Sequence, residues 1–428
     1  MQTRLLWRRS ATAIGLYGSV ALGLLGGLVA ARELHPDRYG LYSLAVFGAG
    51  FFQVLLDLTV EEAMIKYGFR YTTTEQWGKL RRLYRRSMLL KTAGAVLASL
   101  VLLALAPFAD QLFSADGLTG PFLLAALLPI SFIPEAPAGA ALVLDGRYEV
   151  RAVYNFLTAL LRTIGLVIGA HFGVTEAILG LVLGQFAGSA LVSAAALRAF
   201  SRFPHAPPEP LGEDRREIVQ FVIRSSIGST IVSARAAVVP LLLGLVSVPR
   251  QVGYFRASQA PQTGLTALTA PARLILVTEQ TRDWEAGATQ RVFSGLRRYS
   301  TAALIAMAIT VPFLYWFMPD IVALAFGEEY RPASDAARLM LVAGAVGLVF
   351  AWTKSLPVSV GRPELRIVTH GIETIVLIPL VLILGEMWDA TGAAAAVLIS
   401  TCVFALAWVV AVARLHRAQG TTEAVASP

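Results

Sequence analysis

GRYEVR at Gly146–Arg151 and GRPELR at Gly361–Arg366 agree at four of six positions: a glycine, two arginines and a glutamate. If one is a copy of the other, the chain of 428 residues is a duplication, and its fold is whatever half of it can build twice. A six-letter match alone does not establish that.

The composition limits what could be repeated. The chain is 56% hydrophobic and only 15% charged, and its apolar residues fall into long stretches separated by short polar ones. Each stretch is about the twenty residues that an α-helix needs to cross roughly 30 Å of hydrocarbon. Six such stretches lie between Ala11 and Leu197, and six more between Ile218 and Ala413. The arginines before the first could belong to a secretory signal, but the apolar run is long and no small-residue cleavage pattern follows it. A retained first helix is expected. Cys402, the single cysteine, offers neither an internal disulfide nor a cysteine metal cluster.

Orientation follows from the 36 lysines and arginines. With the N-terminus inside, most of them fall in the cytoplasmic segments and few in the outside loops, as positive segments require. One missed span would invert every later loop, so the bias also supports the span count. Both termini are expected to be cytoplasmic.

Sliding the chain against itself extends the opening match. PDRYG at Pro36–Gly40 faces PRQVG at Pro249–Gly253, each in the turn after the first helix of a half. LRRLYRRS from Leu80 faces LRRYS from Leu296, each before a third helix. Thr175 and Arg198 bracket the sixth span as Thr391 and Arg414 bracket the twelfth. The expected fold is therefore an all-α integral membrane protein with twelve transmembrane helices in two six-helix lobes. Because six is even, the lobes form a parallel repeat about an axis along the membrane normal. Residues 1–199 form the first lobe, 200–217 a proline-rich cytoplasmic linker, 218–415 the second lobe and 416–428 a cytoplasmic tail. Lobes of this kind enclose a midplane site and expose it to alternate sides. GRYEVR and GRPELR then become the turns between the fourth and fifth helices of each lobe, with glycine making the bend and the arginines anchoring topology.

RELHPDRYGLY at Arg32–Tyr42, DLTVEEAMIKY at Asp57–Tyr67 and VGYF at Val252–Phe255 resemble the polysaccharide and oligosaccharide exporters. That family includes the Wzx-type lipid-linked oligosaccharide flippases, within the superfamily of multidrug, oligosaccharidyl-lipid and polysaccharide exporters. The resemblance covers essentially the whole chain. It implies alternating-access translocation of an undecaprenyl-diphosphate-type glycan across the cytoplasmic (inner) membrane, without chemical conversion. The implied partners are that lipid-linked glycan, membrane lipids and polysaccharide assembly enzymes.

Charges inside the spans are the candidate site, because each costs roughly 2.5 to 3.5 kcal/mol at a helix centre. The basic ones are Arg162, Arg224, Arg235, Arg256 and Lys354, with Lys91 and Arg273 close enough to helix ends to snorkel. The acidic ones, candidates for ion coupling or pairing, are Asp57, Glu135 and Glu373. On a straight helix the eleven residues from Arg224 to Arg235 give three turns plus about 20°, placing both on one face roughly 16 Å apart. Pairing with acids at matching depth, Arg162 with Glu373 and Lys354 with Glu135, is one account of these charges. Binding an anionic diphosphate is the other, and Arg224 and Arg235 have no obvious acid.

Pro129, Pro134 and Pro137 crowd the fourth span and should kink or interrupt it, as a gate or as a static bend. Gly180, Gly184 and Gly188 form GxxxGxxxG, suited to close helix packing. Trp77, Leu80, Tyr84 and Met88 alternate with Arg81, Arg82, Arg85 and Arg86 in an amphipathic helix expected on the membrane surface, as an anchor or to recruit a headgroup.

Enzyme readings find little. The five histidines, His35, His171, His205, His370 and His416, are dispersed, and no GxxxxGK[ST] phosphate loop occurs. The outside loop Pro319–Asp335 is the one place a membrane-bound polymerase or transferase could put its acids. No cofactor, metal or nucleic acid is expected. A drug or small-metabolite antiporter of the same superfamily is the alternative function, disfavoured because a cationic cargo calls for an acidic cavity.

Overall fold

The computed structural model describes residues 2–56, 58–267, 269–362 and 364–426, and among these there is no strand. Eight helices are long and apolar enough to cross a membrane, or nine counting a bent pair within Asp214–Val246. Two of the eight exceed one crossing. Tyr17–Leu56 runs 40 residues and Glu364–Arg417 runs 54. Helical backbone fails inside them at His35 (φ 61°) and at Trp388 and Asp389 (φ 51° at Asp389). His35 precedes Pro36, whose ring excludes its neighbour from helical geometry. The outward helix faces carry Leu304, Ile305, Ile309 and Phe313 exposed on Thr289–Trp316 alone, a density that suits acyl chains rather than water. The chain is a multi-pass helical membrane protein.

Gly146 and Gly361 both take left-handed backbone, φ 71° and 68°. In both turns the N–H of the following arginine reaches the carbonyl five residues back, Arg147 to Leu142 at 2.8 Å and Arg362 to Pro357 at 2.9 Å. That is a Schellman stop, in which glycine escapes the Cβ penalty and the helix's last carbonyls find donors. The hexapeptide therefore ends one helix and starts the next at both places.

By contacts the chain divides into Met1–Gly253 and Tyr254–Pro428. The helix Asp214–Val246, the first of the second sequence half, packs on the first unit. A hydroxyl seam holds it there: the Thr59 backbone N–H donates to Ser226 Oγ at 2.8 Å and the Thr59 and Ser229 hydroxyls meet at 2.5 Å. Within the first unit, Tyr148–Ala170 and Val174–Phe200 approach to backbone contact. A Cβ added to Gly180 would lie 1.9 Å from the Gly165 carbonyl oxygen, and one at Gly184 would lie 2.5 Å from that of Leu161. Small residues at these crossings let dispersion act over a long interface.

The PDRYG and PRQVG turns meet each other. Gly40 faces the carbonyl of Pro249, and Gly253 faces that of Pro36. The first and fifth residues of PDRYG thus touch the fifth and first of PRQVG, the reciprocal pattern of a local two-fold. Arg250 adds a two-pronged bond to Asp37, at 2.7 and 3.0 Å to Oδ2. A Cβ at Gly40 would sit 1.8 Å from the Pro249 oxygen, which a rigid backbone cannot yield. Gly40→Ala is therefore expected to destabilise the protein by about 1 to 3 kcal/mol. Gly50→Ala, in the same helix and with nothing within 4 Å, should be neutral or slightly stabilising. Thermal unfolding of the two variants in detergent checks this; equal midpoints would remove the turn contact from the account.

Candidate functional site

The fourth span is three pieces: Thr119–Ala125, Leu128–Ser131 and Glu135–Leu144. Pro129 and Pro137 are buried and Pro134 half-buried along it. A broken helix in hydrocarbon must have its freed carbonyls satisfied by neighbours. Ser189 Oγ donates to the Ser131 carbonyl at 2.7 Å, and the Tyr84 hydroxyl donates to that of Pro137. Glu135 opens the last piece, where a carboxylate suits the helix dipole. It accepts from Gln185 Nε2 at 3.1 Å, and the Arg162 guanidinium acts on it electrostatically while lying 5.4 Å over the Phe132 ring.

The second unit has a corresponding break. Ser334–Val349 is followed by the 3₁₀ turn Ala351–Lys354 and the short helix Leu356–Ser359. Here the Tyr299 hydroxyl donates to the Leu348 carbonyl at 3.1 Å and Ser300 Oγ to that of Val349 at 3.0 Å. Tyr84 lies four residues after Leu80 and Tyr299 three after Leu296. In each unit a tyrosine from the helix that carries an LRR segment supports a broken helix. Lys354 ends the 3₁₀ turn, half-buried. The signal for this second break was the polar run Thr353–Ser355 before Pro357, which sequence reading passed over.

Glu373, 1% exposed, meets His370 Nδ1 at 3.0 Å, and the Glu135 carboxylate is held by Gln185. His370 also stacks on Phe404 at 4.8 Å. Counting residues from helix ends gives height but not azimuth, and the interruption before Glu135 resets the azimuth altogether. His370 and Glu373 are one helical turn apart, a spacing that places them on one face and could have been read directly.

Arg224 is exposed on Asp214–Val246 and makes no ion pair among the described residues, whereas Arg235 is half-buried. The helix bends by 41° between Ile231 and Ser233, so the straight-helix register expected for these two arginines does not hold. Arg256, half-buried in the last turn of Pro249–Ser258, donates to Gln259 Oε1 at 3.0 Å. Asp57 lies outside the described residues.

The start of Asp214–Val246 is fastened to Val60–Thr73 by polar bonds. Arg70 grips Glu217 through both carboxylate oxygens at 3.0 and 3.1 Å, and the Tyr67 hydroxyl donates to it at 3.1 Å. Lys79 at 3.2 Å and Tyr71 at 3.0 Å hold Asp214. The Arg70 hydrogen bonds keep the Glu217 carboxyl below its ordinary range, and at Asp214 the Lys79 and Tyr71 bonds outweigh the opposing desolvation. Depressed carboxyl pKa values stabilise the fold at neutral pH, and that contribution is lost only as pH falls through the depressed values. The wild-type thermal midpoint should hold down to the ordinary carboxylate range and drop below it. Arg70→Ala should lower the midpoint at neutral pH and shrink that acid drop, since the Glu217 carboxyl then titrates more nearly alike in both states; an unchanged neutral midpoint and acid profile would show that the contact contributes nothing.

The sequence model of a family described as polysaccharide biosynthesis protein matches residues 29–335. No curated protein sequence matches the chain. Among solved structures, an inward-facing multidrug resistance MATE family transporter of the MOP superfamily aligns with TM-score 0.70 at 14% identity, over 96% of this chain and 99% of that one. The lipid II flippase MurJ, in an inward closed conformation, aligns with TM-score 0.69 at 14% identity, over 94% and 87%. An outward-facing MATE family transporter gives 0.60 at 13% identity, over 93% of each chain. At these identities the likeness is one of fold, and that fold is the one shared by MOP-superfamily transporters.

Proposed function

The chain belongs to the polysaccharide biosynthesis protein family, and from that premise we propose that it is a flippase. Its cargo is an anionic lipid-linked oligosaccharide of the undecaprenyl-diphosphate type, moved across the cytoplasmic membrane by alternating access, with no bond made or broken. The observation that carries the reading is Arg224, a cation exposed on an apolar helix and without an ion pair among the described residues. Such a charge cannot face acyl chains; it needs water or an anion. A guanidinium presents a planar donor fork that fits phosphate oxygens two at a time. Arg235, Arg256 and Lys354 are the further contacts along the path. Arg162, over the Phe132 ring, is the remaining candidate contact.

The fold is shared with a lipid II flippase and with multidrug transporters alike, so the fold does not choose between cargoes. Family membership and the cationic residues favour the glycan lipid. Depleting the protein and analysing lipid-linked glycans on each membrane face tests this: accumulation on the cytoplasmic face supports the flippase, unchanged distribution with increased drug sensitivity supports the antiporter, and loss of the polymer without accumulation points to a polymerase or transferase.

A further inference from the structure

The segment LRRLYRRS carries arginines in two pairs four residues apart. Arg82 and Arg86 share one face of the helix Trp77–Leu105, and Arg81 and Arg85 the next face. In the structure each pair borders a different groove. The larger groove, about 800 Å³, runs between this helix and the start of Asp214–Val246 and is closed on one side by the linker at Pro210–Gly212. Its walls are apolar, with Leu90, Val219 and Ile223 at 44%, 48% and 50% exposure. Arg82, Arg86 and Arg215 stand in it together.

Those three cations lack a local counterion. The acids at the start of the neighbouring helix are committed elsewhere, Asp214 to Lys79 and Tyr71 and Glu217 to Arg70. Arg82 gives one long bond, 3.4 Å, to the Glu209 carbonyl, while Arg86 and Arg215 make no side-chain ion pair among the described residues. The linker itself is strapped down rather than free. Arg81 bonds the Pro204 carbonyl at 3.3 Å, the Glu209 N–H bonds the Gly78 carbonyl at 3.1 Å, and Phe203 stacks on Trp77 at 5.7 Å. The groove is thus a built cleft that combines three arginines with an apolar body.

A plain lipid-facing helix surface would have the apolar body without the arginines, and a plain anion site would have the arginines without the body. Both features together match an amphiphile with a phosphate head and a hydrocarbon tail. We propose that this groove binds an anionic phospholipid of the adjacent leaflet, its phosphate held by Arg82, Arg86 and Arg215 and an acyl chain laid along Val219 and Ile223. The site is independent of the transported cargo. The bound lipid joins the helix Trp77–Leu105 to the linker and to the helix after it, so anionic lipid content sets how firmly those three elements are held.

The test uses the full chain in dodecyl maltoside, with native mass spectrometry reading retention of phosphatidylglycerol against phosphatidylcholine of the same chains. Wild type should retain one phosphatidylglycerol in preference to phosphatidylcholine. The combined variant Arg82→Gln, Arg86→Gln, Arg215→Gln should weaken phosphatidylglycerol retention about ten-fold or more, since each charge-assisted contact is worth about that much or more, and leave phosphatidylcholine unchanged. Ile223→Trp, which fills the groove at an exposed position and keeps every arginine, should weaken it as well. Millimolar inorganic phosphate should not displace the lipid. Retention by the triple variant, retention by Ile223→Trp, or displacement by phosphate would each overturn the proposal, the second by reducing it to surface attraction and the third to a bare anion site. Arg215→Gln alone, exposed and away from the core, gives a smaller loss in the same direction should the triple variant fold poorly.

Discussion

Arg162→Gln is expected to lower the stability of the purified protein in detergent by about 1 kcal/mol. Removing the guanidinium takes its contact from the Phe132 ring and its electrostatic influence from the Glu135 carboxylate, and a cation over an aromatic face is worth about 0.5 to 2 kcal/mol. Arg162 and Glu135 are half-buried, which argues for the middle of that range. The surroundings make no allowance for relaxation: Pro134 precedes Glu135, Gln185 already donates to its carboxylate, and Phe132 covers the guanidinium. Arg162 Nε and Gln185 Oε1 are themselves buried without a hydrogen-bond partner, so few spare groups could take over. Glu135→Gln added to Arg162→Gln should recover part of the loss, because an amide needs less from water than a carboxylate that has lost its neighbouring cation. A double-mutant cycle reads the coupling directly. Strictly additive losses would show that the two side chains stabilise the lobe separately and that the broken helix is held by Ser189 and Tyr84 alone.

The larger effect falls on transport. Arg224→Gln with Arg235→Gln should reduce movement of the lipid-linked glycan to the protein-free rate. Two charge-assisted contacts of about 1.5 to 3 kcal/mol each amount to roughly two to four orders of magnitude in the affinity of the path for a diphosphate. Lysine at either position should retain part of the rate, since charge survives while the planar fork is lost. The bend between Ile231 and Ser233 separates the two residues, so they are not one rigid clamp. Arg147→Gln and Arg362→Gln should leave transport as it was, because those arginines follow glycine helix stops. Arg147 is moreover engaged with Asp145 at 3.1 Å. Comparable losses at all four positions would make the effect one of net charge rather than of place.

Periodicity, repeat and turn chemistry were legible because each depends on residues close in sequence. Gly146 and Gly361 announce helix stops by needing positive φ, and the glycines at 180, 184 and 188 announce a close crossing by lacking side chains. The clustered prolines marked the interruption of the fourth span for the same reason: loss of an N–H is a local property. What could not be read was azimuth. Gln185 reaches Glu135 because a break in one helix turns the carboxylate toward another, and no count from helix ends contains that turn. The packing of Asp214–Val246 on the first unit was equally hidden, resting on Thr59, Ser226, Glu217 and Arg70, residues about 150 positions apart that carry no pattern in common. The linker 200–217 reads as solvated from its prolines and charges. Most of it is, yet Phe203 and the backbone of Glu209 tie it to the third helix, contacts that depend on Trp77 and Gly78 being opposite them.

The most direct measurement is movement of an undecaprenyl-diphosphate oligosaccharide between the leaflets of vesicles containing only the purified protein. The account predicts protein-dependent transfer that rises with the number of protein copies per vesicle and disappears in the Arg224→Gln, Arg235→Gln variant while that variant unfolds at the wild-type temperature. Vesicles in which the wild-type protein leaves the glycan lipid on its original side, yet moves a cationic drug, would contradict it.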